Sequence, residues 1–235
     1  MGATGRLIER QIKRSDLDRQ LLERCQRDEK AGRTSRPVIT ISREMGSGGK
    51  TIGRMVANEL GFAFYDKEII NEIAEAADSS PAHIGHIESG ERGALEGMML
   101  NLLDRRHVTD TVYLRSLIKT LRKLAEQGRV VIIGRGGACV LRQAFKVRII
   151  APFDVRVQRM GDLEKVGPKE AEQNVLSYDH QQKRFLRCYF GCAADDQLLY
   201  DLVINTQAMA LEHAAELIIT GARQVWGDEV ACLGS

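Results

Sequence analysis

The segment that most narrows what this chain can fold into runs from Val38 to Leu60. Val38-Ile39-Thr40-Ile41-Ser42 is a short β-branched run and Gly46-Ser47-Gly48-Gly49 a glycine-rich turn. Lys50 to Leu60 then reads as a helix stopped by Gly61. Glycines at such a junction let successive backbone N–H groups converge on an oxyanion, and the helix that follows adds its positive end. A Lys-Thr pair closing the turn supplies a cation for the outer phosphates and a hydroxyl for Mg²⁺. The spacing therefore predicts a phosphate cradle of Gly46, Ser47, Gly48, Gly49, Lys50 and Thr51, set between a strand and a helix. One position departs from G-x-x-x-x-G-K-[ST], since Glu44 stands where the first glycine is usual. A carboxylate there suits a triphosphate only if its side chain points away.

The remaining pattern extends this unit. Apolar runs near 38–42, 62–65, 130–133, 147–151 and 202–205 alternate with helical stretches at 67–77, 97–127, 169–188 and 210–225. Apolar strands separated by helices pair in parallel with both faces covered. The expectation is an α/β protein with a doubly wound, parallel five-stranded sheet. Of the 235 residues, 43% are hydrophobic and 28% charged, which excludes a disordered or fibrous chain. No run approaches the roughly 20 apolar residues of a membrane-spanning helix, and MGATGRLIER lacks the apolar core of a signal peptide. Five scattered cysteines without a CxxC fit a reducing compartment, so a cytoplasmic location is expected and no membrane partner.

The net charge of +2 is unevenly spread. Residues 1–36 carry +4 and the rest −2. That leading segment reads as an amphipathic helix ending near Gly32. It docks on the body, pairs with a second copy or engages a partner protein; a nucleic-acid partner is not expected. The chain divides into this extension (1–36), one domain (37–227) and a tail (228–235).

Five motifs in order tie the domain to a family. They are Ile41 to Lys50, Phe64-Tyr65-Asp66-Lys67-Glu68-Ile69-Ile70, Val131 to Gly136, Arg156 to Met160 with Asp179 to Arg184, and Tyr200 to Thr206. Residues 38 to about 222 resemble the cytidylate kinase-like family of P-loop nucleoside monophosphate kinases. The resemblance implies a P-loop kinase fold with a helical acceptor-binding region at 67–127 and a lid at 156–188. It also implies ATP and Mg²⁺ as cofactors, and a small phosphorylated acceptor, with CMP or dCMP expected. Lys50 and the loop amides would hold ATP, with Thr206 in the nucleotide-binding set, and Thr51 would ligate Mg²⁺. Arg135 matches the arginine that grips the acceptor phosphate. Arg156 and Arg159, three residues apart on the helix entering the lid, and Arg184 on the returning helix would neutralise the moving phosphoryl group; alternatively they only solvate exposed helices. Asp66 would reach metal or acceptor, or else cap the helix at 67–77. Asp179 would hold the acceptor's sugar.

Two further positions depart from the bacterial enzymes. Ile133 and Gly136 stand where acids flank the Gly-Arg after the third strand, and Glu72 occupies the region after Asp66 where a base might serve. These departures keep open a P-loop kinase of another small metabolite, and a nucleotide-binding regulator with little turnover. Cys188, Cys192 and His180 are too few ligands for a structural zinc, which usually takes four. Two helix-packing thiols are expected instead. His83 and His86 are expected in a surface connection, and the Met98-Met99-Leu100 cluster in the core or a dimer face.

Overall fold

Alternation within the strands decides the layering. In β1 (Val38–Arg43), Ile39 and Ile41 point to one face while Val38 and Thr40 point to the other. The computed structural model describes residues 36–77 and 107–230. The other elements are α1 (Gly49–Leu60), β2 (Ala63–Tyr65), α2 (Lys67–Ala77), α3 (His107–Gln127), β3 (Val130–Ile133), α4 (Gly137–Val140), β4 (Phe145–Ile150), α5 (Phe153–Glu164), α6 (Pro168–Phe190), β5 (Leu202–Asn205) and α7 (Leu211–Trp226). All strand pairs are parallel, in the order β2-β3-β1-β4-β5. The five expected strands are all present.

Each face of the sheet has its own core. Ile39, Ile41, Val131, Ile133, Val147 and Ile149 meet Ile52, Val56 and Leu60 of α1 and Ala214 and Ile218 of α7. On the opposite face Val38, Val130 and Ile132 meet Leu114, Leu117 and Leu121 of α3 and the end of α6. Such double coverage is why the strands read as largely apolar runs, with β3 apolar throughout. The helix ends follow local chemistry: Gly61 turns left-handed at φ 61°, and Phe62 N–H returns to Ala57 O at 2.8 Å. Pro168 opens α6, and left-handed Gly191 closes it.

One boundary differs from expectation. A 3₁₀ turn at Gly227–Val230 buries Val230 completely in the first core, so a tail starting at 228 would cut into packed structure. The insertion is helical over Lys67–Ala77 and His107–Gln127. The leading helix, the two histidines of the connection and the Met98-Met99 cluster lie outside the described residues.

β1 sits at the centre, and the chain runs to β2 and β3 on one side before crossing to β4 and β5 on the other. Ligands of open parallel sheets bind beyond the strands' carboxyl ends at such a reversal. Here that place holds the turn after β1, the start of α2 and the turn after β3.

Candidate active site

The loop after β1 is shaped by its two left-handed glycines, Gly46 (φ 78°) and Gly48 (φ 82°). A Cβ on Gly46 would also lie 2.5 Å from the carbonyl oxygen of Arg156, so only glycine fits. Ser47 donates its N–H (3.2 Å) and its hydroxyl (2.7 Å) to Glu44 O, closing the turn. The N–H groups of Gly49, Lys50 and Thr51 begin α1 and have no acceptor within the helix. They form the anion-attracting end that the spacing implied. Lys50 and Thr51 are exposed there.

Asp66 performs two tasks with its two oxygens. Oδ1 accepts Ile69 N–H at 3.2 Å, capping α2, and Oδ2 lies 2.7 Å from Lys50 Nζ. Glu68 Oε2 stands 3.5 Å from the same amine. The Asp66 hydrogen bond raises the Lys50 pKa above its ordinary value against the opposing effect of burial, with both acids adding to the rise. Burial pushes the Asp66 carboxyl upward, but the hydrogen bonds from Lys50 and the Ile69 amide outweigh it and hold the group below its usual value. The cap weighed in the sequence is present, and the same carboxylate pairs with the loop lysine.

Beneath the loop lies a buried ionic network. Glu44 turns away from the cradle toward Arg148 Nη2 (3.4 Å), Arg156 Nε (3.4 Å) and the Ala151 N–H (3.3 Å). Arg156 in turn donates to Ala151 O (3.1 Å), to Met45 O in the loop (3.2 Å) and to Asp179 Oδ2 on α6 (2.7 Å). Arg159 donates to both oxygens of Thr206, at 2.9 and 2.7 Å, and the buried Thr206 hydroxyl donates to Ser47 O at 2.9 Å. Arg156, Arg159, Asp179 and Thr206 are therefore brought together around the back of the loop, where Arg156 and Thr206 donate to its carbonyls while Asp179 and Arg159 hold those two in place. Arg184 is exposed on α6, away from this group.

Beside the loop opens a small cleft lined by Arg43, Lys67, Gly134, Arg135, Tyr178, Gln182 and Phe185. Arg135 takes a left-handed backbone (φ 51°) after β3 and is buried, its guanidinium 5.3 Å from the Phe185 ring centroid. Tyr178, Gln182 and Phe185 follow the i, i+4, i+7 spacing of one face of α6. The Lys67 amine is pushed down to about 8, first by burial and then by repulsion from Arg135 and Arg43, against the pull of Glu68. Of this lining the sequence reading had singled out Arg135 alone. The basic residue sought after Asp66 is its immediate neighbour Lys67, one position along, and not near Glu72. The signal for Arg43 was its place at the end of the strand carrying the loop.

The two departures beside Arg135 also have physical reasons. Ile133 is fully buried in the first core, where its Cδ1 would meet any Cβ on Gly53 at 2.4 Å. Gly136 has φ 71°, and a Cβ there would strike the Phe190 ring at 2.4 Å. The space for a second acid is filled by an aromatic ring.

Among the described residues no three His, Cys, Asp or Glu side chains cluster to hold a metal. Mg²⁺ binds through one or two protein oxygens plus phosphates and water, and the Thr51 hydroxyl and Asp66 carboxylate are donors of that kind. Cys188 is exposed. Cys192 instead shares a hydrogen bond with buried Cys139, whose thiol this bond and burial push upward. No helix among the described residues is long and apolar enough to cross a membrane.

Residues 38–208 match the sequence profile of the cytidylate kinase-like family. A cytidylate kinase of Thermococcus sibiricus is 30% identical over 172 residues, covering 72% of this chain and 79% of the relative. One from Staphylothermus marinus is 25% identical over 184 residues, covering 77% and 93%. A crystal structure of an uncharacterised protein from Eubacterium ventriosum superposes with a TM-score of 0.63 at 23% identity, covering 80% of this chain and 99% of that one. That last likeness concerns the fold.

Proposed function

Because this chain belongs to the cytidylate kinase-like family and is a P-loop phosphotransferase, we propose that it moves the γ-phosphoryl group of ATP onto a nucleoside monophosphate, CMP or dCMP. The observation that carries the reading is adjacency. The loop with Lys50 begins directly after Arg43, and Arg43 itself lines the cleft that holds Arg135. A donor site and a cationic acceptor site thus share one wall. Phosphoryl transfer needs little covalent help from the protein beyond this positioning and the neutralisation of charge.

In this reading Lys50 and the amides at the start of α1 hold the outer phosphates of ATP, and Lys50 exchanges Asp66 for them. Mg²⁺ supplies charge neutralisation on those phosphates, with Thr51 and Asp66 as its protein donors. Arg135 holds the acceptor phosphate, one of whose oxygens attacks the γ-phosphorus as the bond to ADP breaks. No side chain has to remove a proton, since the acceptor phosphate is ionised at neutral pH. Arg156, Arg159 and Thr206 keep the loop carbonyls turned back so that its amides face the ligand. A nucleoside specificity for cytosine rests on the relatives.

The test is ADP formation with Mg²⁺ and each common nucleoside monophosphate, run beside Lys50→Ala. Turnover stimulated by CMP or dCMP and abolished in Lys50→Ala is expected. Stimulation by none of the monophosphates would remove the reading.

A further inference from the structure

Two cysteines meet where the chain leaving Arg135 packs against the end of α6. That helix closes on the left-handed Gly191, and the next residue, Cys192, folds back so that its N–H reaches Leu186 O at 3.3 Å. The return turns Cys192 toward the second core, where it packs half-buried. From the other side, α4 follows the turn that carries Arg135. A Cβ on Gly136 would stand 2.4 Å from the Phe190 ring, so the start of α4 and the last turn of α6 are in contact. Cys139 lies three residues past Gly136, one turn along the same face, and is 7% exposed in that core. The two thiols share a hydrogen bond with Cys139 as donor. It holds Cys192 below the ordinary thiol value against burial and Asp196, with help from Lys146, and together with burial it pushes Cys139 up. One sulfur is thus reachable and inclined to ionise, and the other is buried and protonated. That is the division of labour between an attacking and a resolving thiol.

We propose that Cys192 and Cys139 are a modification site for peroxides, closing to a disulfide that clasps the end of α6 to α4 and slows turnover. The Cys192 thiolate attacks one peroxide oxygen, the O–O bond breaks, and hydroxide leaves as water with the proton that Cys192 gave up. The Cys139 sulfur then attacks the resulting sulfenic acid, expelling its hydroxyl, which departs as water with the Cys139 proton. Two thiols are oxidised by two electrons, and one peroxide is reduced to two waters. The clasp acts on a helix that serves the site along its length. α6 presents Tyr178, Gln182 and Phe185 to the cleft and Asp179 to Arg156. A bond at its end restrains the wall past which a ligand enters and leaves. The effect on turnover rests on the phosphotransferase reading above; the disulfide and its restraint of α6 do not.

The experiment treats the reduced full chain with hydrogen peroxide at pH 7 and maps its peptides, without reduction, by mass spectrometry. A linked Cys139–Cys192 peptide in a monomeric chain is expected. It should be absent in Cys192→Ser and in Cys139→Ala and kept in Cys188→Ser, which removes the exposed thiol of α6. In Cys139→Ala a sulfenic acid on Cys192 should be trapped by dimedone. Thermal melts establish that each variant is folded. In the linked chain, hydrogen exchange should slow over the last turns of α6 and over α4, and ADP formation should fall about threefold or more, both restored by dithiothreitol. Failure to form the linked peptide, or a disulfide made through Cys188 instead, overturns the proposal. So does a fully linked, active chain whose ADP formation is unchanged. If the reduced chain turns over no acceptor at all, the function proposed above fails, and hydrogen exchange alone decides the clasp: slowed exchange upholds it and unchanged exchange overturns it.

Discussion

Glu44 sits at the head of a phosphate loop, and replacing it with glutamine decides whether it anchors the loop or hinders its ligand. Its carboxylate faces two guanidiniums whose side chains are each 7% exposed, and Arg148 already has one buried nitrogen, Nη1, without a partner. Removing the charge leaves Arg148 without a counter-ion, while Arg156 keeps Asp179 at 2.7 Å and two carbonyls. Breaking a buried pair by removing one partner costs about 3–5 kcal/mol. The separations of 3.4 Å and the surviving Arg156 contacts place Glu44→Gln lower, at about 2–4 kcal/mol. For a domain of this size that is a fall in Tm of roughly 5–15 °C. Urea denaturation at pH 7 with an unchanged m-value measures it. The double variant Glu44→Gln with Arg148→Met should recover part of the loss, because an apolar replacement removes the stranded charge. ATP affinity should fall in Glu44→Gln, since Ser47 and Met45 lose the fixed frame behind them. A variant as stable as the parent within about 0.5 kcal/mol, with tighter ATP binding, would refute the reasoning and make Glu44 an inhibitory acid beside the phosphates.

Other perturbations probe neighbouring parts of the site. Lys50→Ala should lower kcat/KM by about 100-fold or more, because Lys50 acts on the ligand, and should cost up to about 1 kcal/mol of stability by leaving the Asp66 carboxylate without its partner. Asp66→Asn keeps an oxygen for the Ile69 N–H but loses the ion pair with Lys50, and should cost about 1 kcal/mol, measured by urea denaturation. Its pH dependence has a definite sign: a carboxyl held below its ordinary 3.8 stabilises the fold above that pH and ceases to as pH falls through the lower folded value. The stability gap between parent and Asp66→Asn should therefore close in strong acid, and a gap that widens there would be incompatible with the Lys50 pairing. Lys67 should lose its proton near pH 8, so its acetylation rate, followed by mass spectrometry, should level off around that pH. Thr206→Val removes a buried hydroxyl joining Arg159 to Ser47 and should raise KM for ATP more than it lowers kcat, at a stability cost of about 1–3 kcal/mol.

The sheet was legible because both of its faces are covered, which leaves Val130 to Ile133 as an uninterrupted apolar run and Val147 to Ile150 as one broken only by Arg148. Arg135 and Lys50 could be found because glycine-marked turns announce them: Arg135 lies in the turn after β3, and Lys50 opens the helix that follows the turn after β1. The roles of Arg156 and Arg159 were harder to read. Their i, i+3 spacing says that they share a helix face, and that face was expected to meet phosphate. In the folded chain that face hydrogen-bonds Met45 O and Thr206 at the back of the loop, partners 111 and 47 positions away that helical spacing does not announce.

What the sequence determined by itself is local or periodic. The glycines that allow φ near 80° in the loop, the alternation that builds the two cores and the helix starts and stops all depend on neighbours within a few residues. Only the tertiary structure decided the electrostatics. Glu44 meets Arg148 across 104 positions, Met45 meets Arg156 across 111 and Ser47 meets Thr206 across 159. Parallel pairing of β1 with β3 and β4 brings their carboxyl ends side by side, and the chain between them carries no trace of which charges will then face each other. For the same reason Arg43, Lys67 and Arg135 become one cationic cleft when the strand ends align, although each one alone is an ordinary basic residue.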